Sequence, residues 1–498
     1  MSAIDVVAGI DTGTSGCKVT LLDADGRVRA ATYHGYPTHY DQPGWAEQDP
    51  RDWVSAARRG LHDALRISAA EEPVRLRALA FSAPHHVAVL CDESMTPLRR
   101  AIMWTDQRSA ATARRTAETH GELIWARCRN VPAATWTLPQ LQWLGTHEPD
   151  VLRTTRRVLF MKDFVRHAFL PHHTTDHVDA SGTLLYAPED RTWVPELLEL
   201  AGLSPAAMPE VVAPDAALGT VAPEVAAELG LDADVQVVTG SADTAVELLA
   251  AGCVEPGDHT LKLATAGNVS HVEDQPSAEA GVISYPYLIA GTYYLNSATN
   301  SAAASFAWLA RTLAGGESDG SFYSRLDDDA AQVPPGSDGV TFHPYLNGER
   351  APHWNAALRA SFVGLASAHG RGHLARAVME GVAMSMREAR GTDAPPIPQA
   401  SLIGGGAKSA VWAQIMADVL RTDVHVRPAA DSSLGGALLA AAQLGWLPRL
   451  ADAPRLVQGT VTTCRPSAAD ADAYDRAFAR YQRIQQALQP GYELDNDS

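Results

Sequence analysis

Three things are scarce in this sequence of 498 residues: cysteine, long apolar runs and positive charge. The five cysteines are scattered without close pairs, which argues against a disulfide framework or a zinc cluster and predicts free thiols. No apolar run approaches the ~18–20 residues needed to span a bilayer, so we expect no membrane segment. The first residues lack the basic region of a signal peptide, which favours the cytoplasm.

Positive charge is outweighed, because Lys and Arg number 40 against 58 Asp and Glu, giving a net charge of −18. Nucleic acids and anionic membranes attract basic surfaces, so we expect neither as a partner. The sign of the charge does not exclude nucleotides, since backbone amides and a metal ion can hold phosphates in an acidic protein.

The length predicts two domains, because a single hydrophobic core stops growing near ~250–300 residues. A short apolar strand, Val6–Ile10, leads through a polar glycine turn into a second strand, and an Asp-Gly pair then predicts a hairpin. A similar outline recurs at Thr260–Leu263 and Val269–Val272, on either side of a turn of small residues. This repeat suggests two related domains that face each other, which we place at residues 1–247 and 248–498.

The turn Asp11–Gly16 has the residue types of a phosphate loop. Its glycines let backbone N–H groups approach an anion, its hydroxyls are donors, and Asp11 can hold Mg²⁺ directly or through water. An ordinary loop with an Asx turn explains the same residues, and the isolated pattern does not decide between the two. Neither a Rossmann fingerprint nor a Walker P-loop is present, which disfavours those nucleotide sites.

Asp243 lies between an apolar strand, Val235–Gly240, and a predicted helix that begins at Thr244. A carboxylate at the end of a buried strand is well placed to accept a proton from a substrate hydroxyl. A helix N-cap is the simpler explanation for an aspartate here, and the local sequence favours it. The two roles are compatible.

The glycine-rich segment Gly404–Ser409 could let an adenine and its ribose lie against the backbone, with a helix N-terminus directed at a phosphate. A tight strand-to-helix turn is the alternative explanation. Thr265 and Gly267 are candidates for holding the β- or γ-phosphate.

Two segments of the first half have the residue types that bind sugars. His85 and His86 follow a probable strand and can exchange hydrogen bonds with a sugar hydroxyl. Trp104–Arg108 combines an aromatic face with polar groups, although an Asp–Arg pair at the surface, beneath a packed tryptophan, explains it equally well.

Together and in this order, these segments resemble the FGGY family of carbohydrate kinases in the actin-like ATPase superfamily, most closely its xylulokinases. The resemblance spans nearly the whole chain and includes the strings Trp45–Pro50, Pro344–Pro352, Phe362–Leu365 and His373–Gly381. It implies an α/β fold of two actin-like ATPase (ribonuclease-H-like) domains with a central ligand cleft. It also implies ATP-dependent phosphorylation of a sugar hydroxyl, with a ketopentose such as D-xylulose, converted to its 5-phosphate, as the leading substrate.

The residues and the resemblance together give the candidate sites. Asp243 is the expected general base and Asp11 the expected metal residue. The expected sugar contacts are His85, His86, Trp104, Asp106 and Thr244. The expected nucleotide contacts are Thr12, Gly13, Thr14, Ser15, Lys18, Thr265, Gly267, Gly405, Gly406 and Ser409. A small sugar or polyol and Mg-ATP are thus the expected partners, and a homodimer stays open.

The chain departs from the usual xylulokinase pattern at four places. Pro84–Val87 stands where Gln-Met-His-Gly is usual, Thr244 replaces Asn, Ala264–Gly267 replaces Gly-Thr-Ser-Gly, and Gln140 replaces Lys. The first two changes lie beside the expected sugar pocket, so other ketoses, polyols and sugar acids remain alternatives. A nucleotide-gated chaperone-like protein or a regulator of the same superfamily is an alternative from another class.

Overall fold

The computed structural model describes residues 3–279, 281–316, 320–391, 394–459 and 461–493. The chain divides into two compact units that are each discontinuous in sequence. Unit 1 comprises Met1–Glu255, Glu273–Tyr294 and Asp431–Gly459, and unit 2 comprises Pro256–Val272, Leu295–Ala430 and Thr460–Ser498. The chain passes from unit 1 to unit 2 after residue 255 and later returns twice to unit 1. The division into domains at residue 247 stays a prediction.

Both units contain strands and helices. In chain order the strands are β1 (Ile4–Thr12), β2 (Gly16–Asp23), β3 (Val28–Gly35), β4 (Glu47–Gln48), β5 (Val74–Ala83), β6 (Ala88–Cys91), β7 (Ala101–Ile102), β8 (Arg157–Phe160), β9 (Thr174–Asp176), β10 (Tyr186–Ala187), β11 (Thr192–Trp193), β12 (Glu210–Val212), β13 (Ala217–Thr220), β14 (Gln236–Val238), β15 (Ser241–Ala242), β16 (His259–Leu263), β17 (Gly267–Glu273), β18 (Ile283–Pro286), β19 (Tyr293–Thr299), β20 (Thr341–His343), β21 (Ser361–Val363), β22 (Gln399–Ile403), β23 (Asp423–Val426) and β24 (Thr462–Cys464).

The α-helices are α1 (Pro50–Glu71), α2 (Ala110–Cys128), α3 (Thr137–His147), α4 (Pro149–Thr154), α5 (Met161–His167), α6 (His177–Ser181), α7 (Pro195–Leu200), α8 (Pro223–Leu229), α9 (Asp243–Ala250), α10 (Ala303–Ala314), α11 (Gly320–Ala331), α12 (Arg371–Ala389), α13 (Ala410–Leu420), α14 (Ser432–Gln443), α15 (Ala453–Leu456) and α16 (Ala471–Glu493). Short 3-10 turns cover Pro205–Ala207, Ser337–Gly339, Gly405–Lys408 and Leu450–Asp452.

The main sheet of unit 1 has the strand order β13-β14-β5-β1-β2-β3, and β15 also pairs with β5. Strands β1 and β2 form the antiparallel pair expected from the sequence, and β1 runs parallel to β5. The central residues of β1 are buried because both faces of a sheet covered by helices exclude water, which explains the continuous apolar run.

Three strand ends of this sheet lie side by side. Asp11 of β1 is in register with Ser82 of β5, and Ser82 is in register with Ser241 of β15. Asp243 follows two residues later as the first residue of α9. The parallel pairing therefore brings two aspartates that are far apart in sequence to one edge of one sheet.

Helix α14 packs closely on β1, and glycine makes this approach possible. A Cβ at Gly9 would lie 1.8 Å from the carbonyl oxygen of Ser433 and 2.4 Å from the amide nitrogen of Ala437, so no larger residue fits. Thr20 of β2 and Ser433 also share a hydrogen bond of 2.7 Å. This packing brings the N-terminus of α14 close to the C-terminal half of β1, which ends at Thr12.

In unit 2, strands β19, β17, β16, β22, β23 and β24 lie in that order in a second sheet. Strands β16 and β17 are antiparallel across a short turn, and β16 runs parallel to β22. The arrangement of hairpin and parallel neighbour thus repeats that of β1, β2 and β5, in agreement with the predicted repeat.

The scarce residue types behave as the sequence predicts. All five cysteines are free, and four of them are buried. Within the described ranges, no helix combines the length and the apolar character that a membrane crossing requires.

Candidate active site

Two carboxylates form the centre of the candidate site in unit 1. Asp11 accepts a hydrogen bond of 2.8 Å from the Ser82 hydroxyl. Burial raises the pKa of Asp11 well above its ordinary value, and the negative charge of Asp243 raises it further. Asp431 and Glu247 add to this effect, so Asp11 lies in a region of excess negative charge.

Asp243 does not cap α9, which corrects the simpler expectation. The N-cap residue is Ala242, and Asp243 is already in the first helical turn. The backbone N–H and the hydroxyl of Thr244 donate to Asp243 Oδ1, at 2.6 and 3.2 Å. Oδ1 thus accepts both hydrogen bonds that the described residues donate to the Asp243 carboxylate. These bonds from Thr244 fix the orientation of the carboxylate.

A buried ion network supports the strand in front of Asp243. The ammonium of Lys162 lies 2.9 Å from Asp176 Oδ2 and 3.3 Å from Asp179 Oδ2. Asp176 Oδ1 accepts a hydrogen bond of 2.9 Å from the hydroxyl of Ser241, two residues before Asp243. The network thus contacts β15 through the Ser241 hydroxyl. Removing one partner from a buried ion network is strongly destabilising, so we expect each member to be needed for this arrangement.

The predicted phosphate loop is tied to its surroundings through several contacts. The indole N–H of Trp104 donates to Thr14 Oγ1 at 3.0 Å, and Gln48 Nε2 donates to the Thr14 carbonyl at 2.7 Å. Gly13 N–H donates to the Gly16 carbonyl at 3.0 Å, and the Ser15 hydroxyl is within 3.0 Å of Tyr33 Oη. Trp104, expected beside the sugar, therefore contacts the phosphate loop directly.

Thr12 and Lys18, two further nucleotide candidates, lie on β1 and β2 on either side of the glycine turn. The side chain of Thr12 is only 1% exposed, so it faces the interior of the unit. The Lys18 ammonium forms an ion pair with Asp431, which also accepts from Leu434 N–H at the N-terminus of α14. Lys18 is paired with Asp11 across the β1–β2 hairpin, and its side chain stays 39% exposed.

His85 and His86, the expected sugar contacts, are embedded among aromatic rings. His85 is stacked on Tyr285 with ring centroids 4.3 Å apart, and its Nε2 lies 2.6 Å from Tyr294 Oη. His86 is partly buried and packs edge-on against Trp136 at 4.4 Å. Burial lowers the pKa of His86 to about 3, with the neighbouring His85 contributing, so the His86 ring is neutral.

Asp106 is engaged within the protein. It is 0% exposed and accepts hydrogen bonds from the Ala46 amide at 2.6 Å and from the Arg108 guanidinium on both carboxylate oxygens. The Arg108 guanidinium in turn lies 3.7 Å from the ring centroid of Trp45. The sequence offered a surface Asp–Arg pair as the alternative explanation; the pair is present, but it is buried. Sugar binding by Asp106 stays a prediction.

The candidate nucleotide residues of unit 2 lie on two adjacent turns. The Ala302 amide donates to the Thr265 carbonyl at 2.9 Å, and a Cβ at Gly267 would lie 2.8 Å from Thr299. Thr299 also donates to the buried carboxylate of Glu349. Glu349, in the segment Pro344–Pro352, therefore contacts Thr299, which in turn packs against the turn that contains Thr265 and Gly267.

The second turn follows β22. Gly404 has φ of 89°, and a Cβ there would lie 2.6 Å from the Leu263 carbonyl, so this position requires glycine. Gly406 is also packed against Leu263, but Gly405 is exposed and a Cβ there would meet nothing within 4 Å. Ser409 caps α13 by accepting from Trp412 N–H at 3.0 Å. The open face at Gly405 fits a flat ligand against the backbone.

The donor set at Asp11 fits a divalent cation. Within the described ranges, no three His, Cys, Asp or Glu side chains are grouped to enclose a metal ion. Mg²⁺ needs no such group, since it is usually bound by one or two carboxylates together with water and substrate phosphates. Asp11, surrounded by negative charge, has the character of such a partial site.

Sequence reasoning missed Asp431 and Tyr285. Asp431 is separated from Lys18 by 413 residues, and its only local signal is a Ser-Ser-Leu-Gly-Gly run that opens a helix. Tyr285 lies within hydrogen-bond distance of His86, 199 residues away. Neither contact leaves a pattern in the sequence around it.

Known proteins share this fold and much of this sequence. Residues 6–250 match the N-terminal domain of the FGGY family of carbohydrate kinases, and residues 267–444 match its C-terminal domain. A xylulose kinase of Bacillus subtilis is 30% identical, with 96% of both chains covered, and one of Escherichia coli is 34% identical, with 87% and 89% covered. The crystal structure of a xylulose kinase from Rhodospirillum rubrum superposes with a TM-score of 0.86 at 30% identity, covering 98% of this chain and 100% of that one. This chain is a sugar kinase that belongs to the FGGY family of carbohydrate kinases.

Proposed function

We propose that this kinase transfers the γ-phosphoryl group of ATP to a hydroxyl of a ketopentose, with D-xylulose, converted to its 5-phosphate, as the leading substrate. The observation that carries the proposal is the register that places Asp11 and Asp243 at one sheet edge. The similar xylulose kinases support the choice of sugar.

Asp243 serves as the general base. Thr244 holds Oδ1, so the other oxygen is directed at the substrate hydroxyl and takes its proton. The sugar oxygen then bonds to the γ-phosphorus while the bond to the β-phosphate oxygen breaks and ADP leaves. A modest base suffices, because the loose transition state of phosphoryl transfer requires little proton abstraction early on.

The remaining candidates position the reactants. In unit 1, Thr14 and Ser15 are the candidate phosphate donors. In unit 2, Thr265 and Gly267 are candidate phosphate contacts and Gly405 is the candidate adenosine contact. A bound Mg²⁺ near Asp11 would offset the charge that develops on the phosphate oxygens. Trp104 sets the direction of the Thr14 hydroxyl, which makes it a positioning residue.

A substrate screen separates this proposal from its alternatives. We suggest a coupled assay of ADP release with ketopentoses, ketohexoses, glycerol and other polyols, and sugar acids. The proposal predicts the highest kcat/KM for a ketopentose. ADP release that depends on peptides, with no response to any sugar, would favour the chaperone-like alternative.

The setting of the enzyme is part of the proposal. The free thiols and the need for ATP favour the cytoplasm. A homodimer is the assembly to be tested, by light scattering coupled to size-exclusion chromatography.

Gly405→Val is expected to weaken nucleotide binding selectively. Because a Cβ at Gly405 meets no protein atom within 4 Å, the added methyl groups should reduce the space for the ligand and leave the fold intact. We expect the KM for ATP to rise about 10-fold and the KM for the sugar to stay unchanged. The lost contact is made equally in the ground state and the transition state, so it affects binding and not kcat. Steady-state kinetics with each substrate varied in turn measure this.

Gly370→Val is the matched control, since Gly370 also has open space around it but lies at the start of α12. Its KM for ATP should stay close to that of the wild type. An unchanged KM for ATP in Gly405→Val would remove Gly405 from the nucleotide site.

A further inference from the structure

The backbone of His86 adopts a conformation that non-glycine residues rarely take. Its φ is 76°, in the left-handed region, which costs a residue with a side chain free energy and persists only where the surroundings impose it. Such residues concentrate at functional sites. The orientation of the His86 ring is therefore set by its neighbours.

These neighbours determine the tautomer of His86. Its Nδ1 is within hydrogen-bond distance of the Gly182 carbonyl oxygen, which can only accept, so Nδ1 carries the proton. In a neutral ring Nε2 then has no proton and can only accept. The Tyr285 hydroxyl lies 3.2 Å from Nε2 and must be the donor. One backbone carbonyl thus fixes the direction of the hydrogen bond from Tyr285.

Tyr285 connects His86 electrostatically to the proposed base. Its side chain is 4% exposed, and burial raises its pKa, as do the negative charges of Asp243 and Asp179. Its hydroxyl therefore stays protonated and remains a donor. Strand register gives the same placement, because Ala83, three residues before His86, is paired with Ala242, the residue before Asp243.

We propose that Tyr285 sets the substrate class: because its proton is donated to His86 Nε2, its oxygen is left as an acceptor beside the base, which selects neutral polyhydroxyl substrates over sugar acids. The proposal rests on the proposed kinase function and deepens it. Sugar hydroxyls can donate to the tyrosine oxygen and to the carboxylates. A sugar carboxylate would have to give up water and meet acceptors and negative charge.

Charge around the pair supports this selection. Asp179 Oδ1 lies 3.6 Å from Nδ1 of His85, whose ring stacks on Tyr285, so a negative group lies close to the pair. Lys162, the cation nearest to Asp179, is fully buried and lies within ion-pair distance of three aspartates: Asp163, Asp176 and Asp179. The side chain of Lys162 is therefore committed and does not offer a counter-ion to a sugar acid.

Tyr285→Phe tests the proposal. It removes the donor to His86 and keeps the ring that stacks on His85. With D-xylulose, or with the neutral sugar that the screen identifies, we expect KM to rise about 10-fold while kcat stays within about 3-fold, because binding is lost equally in the ground and transition states. Gluconate should remain a poor substrate of the wild type, and the ratio of kcat/KM between the two sugars should fall in the variant.

Tyr287→Phe is the matched control. It also loses a buried hydroxyl, but that hydroxyl donates to the Cys253 carbonyl at 2.7 Å. Both kinetic constants for the sugar should remain within about 2-fold of the wild type, as is usual for a change away from the site.

A second measurement does not depend on activity. In protein labelled with ¹⁵N-histidine, His86 should show a protonated Nδ1 and an unprotonated Nε2 at every pH from about 5 to 8, because its pKa is far below that range. In Tyr285→Phe the Nε2 shift should change, whereas in Tyr287→Phe it should not.

Two results would overturn the proposal: a proton on Nε2 in the wild type, or equal loss with Tyr287→Phe and Tyr285→Phe. Efficient phosphorylation of gluconate by the wild type would overturn the assigned substrate class. Failure of the kinase function itself would look different, since no sugar would be phosphorylated while the ¹⁵N spectra still reported on the pair.

Discussion

Asp243→Asn is expected to lower kcat by about 10³-fold, within the range that general bases contribute. Asparagine has nearly the same shape and can still accept from the Thr244 amide, but it cannot take a proton from the sugar hydroxyl. Nucleotide affinity should stay within about 3-fold of the wild type, because Asp243 loses an interaction made only in the transition state. Steady-state kinetics and calorimetric titration with ADP measure the two quantities.

The matched control is Asp150→Asn, which removes another aspartate from a first helical turn, at an exposed position of α4. Its kcat should remain within about 2-fold of the wild type. Turnover by Asp243→Asn at a near-normal rate, on the sugar that the wild type prefers, would remove Asp243 from the role of base.

Asp11→Asn is expected to reduce kcat/KM for Mg-ATP by about 10²–10³-fold, since a metal ion contributes several kcal/mol to transition-state stabilisation. Asparagine offers a neutral oxygen where Mg²⁺ prefers a carboxylate. The Mg²⁺ concentration for half-maximal activity should rise in parallel. In the wild type this concentration should also rise as the pH falls, because a proton bound at the raised pKa of Asp11 competes with the metal.

The same substitution should stabilise the protein in the absence of ligands. A carboxyl with a higher pKa in the folded than in the unfolded state binds its proton more tightly when folded. It therefore contributes stability at low pH, and that stability is lost as the pH rises through its folded pKa. At neutral pH the ionised Asp11 destabilises the fold and asparagine removes this effect, so a gain of about 1 kcal/mol would raise Tm by roughly 1–2 °C.

Asp23→Asn, on the neighbouring strand β2, should destabilise the protein, whereas Asp11→Asn should stabilise it. Asp23 is buried but accepts hydrogen bonds from the Asp25 and Arg27 amides and pairs with Arg29 at 2.5 Å. Losing these charge-assisted bonds should lower stability by about 1–3 kcal/mol. A lower Tm for Asp11→Asn than for the wild type, at neutral pH and without nucleotide, would contradict the electrostatic account of Asp11.

Local structure is the part of the fold that the sequence predicts well. The apolar run Val6–Ile10, the glycine turn after it and the hairpin at Asp25-Gly26 all appear as β1, β2 and β3. The strand and helix around Asp243 are also present, as is the strand, turn and helix at Gly404. These elements depend on neighbours in sequence, so periodicity and turn residues are sufficient to identify them.

Contacts between distant segments could not be predicted in this way. The ion pair of Lys18 with Asp431 depends on helix α14 packing against β1, which in turn depends on Gly9. The division into units has the same origin, because residues 431–459 return to unit 1 through tertiary packing and carry no boundary signal.

The catalytic and binding roles of the side chains stay predictions, but their local contacts can be compared. Sequence alone favoured Asp243 as a helix cap and suggested that His86 can exchange hydrogen bonds with a sugar hydroxyl. In the structure Ala242 is the cap, and both nitrogens of His86 have partners. Capping geometry and tautomers follow from backbone angles and neighbours, which no local pattern specifies.

The most direct measurement is ³¹P NMR of the protein with Mg-ATP and D-xylulose, followed over time beside a sample without sugar. If the two aspartates at the sheet edge form a phosphoryl-transfer site, the γ-phosphate signal should be replaced by a sugar phosphomonoester in amounts equal to ADP, and only with the sugar present. Release of inorganic phosphate at the same rate in both samples, with no phosphomonoester from any sugar tested, would contradict this account.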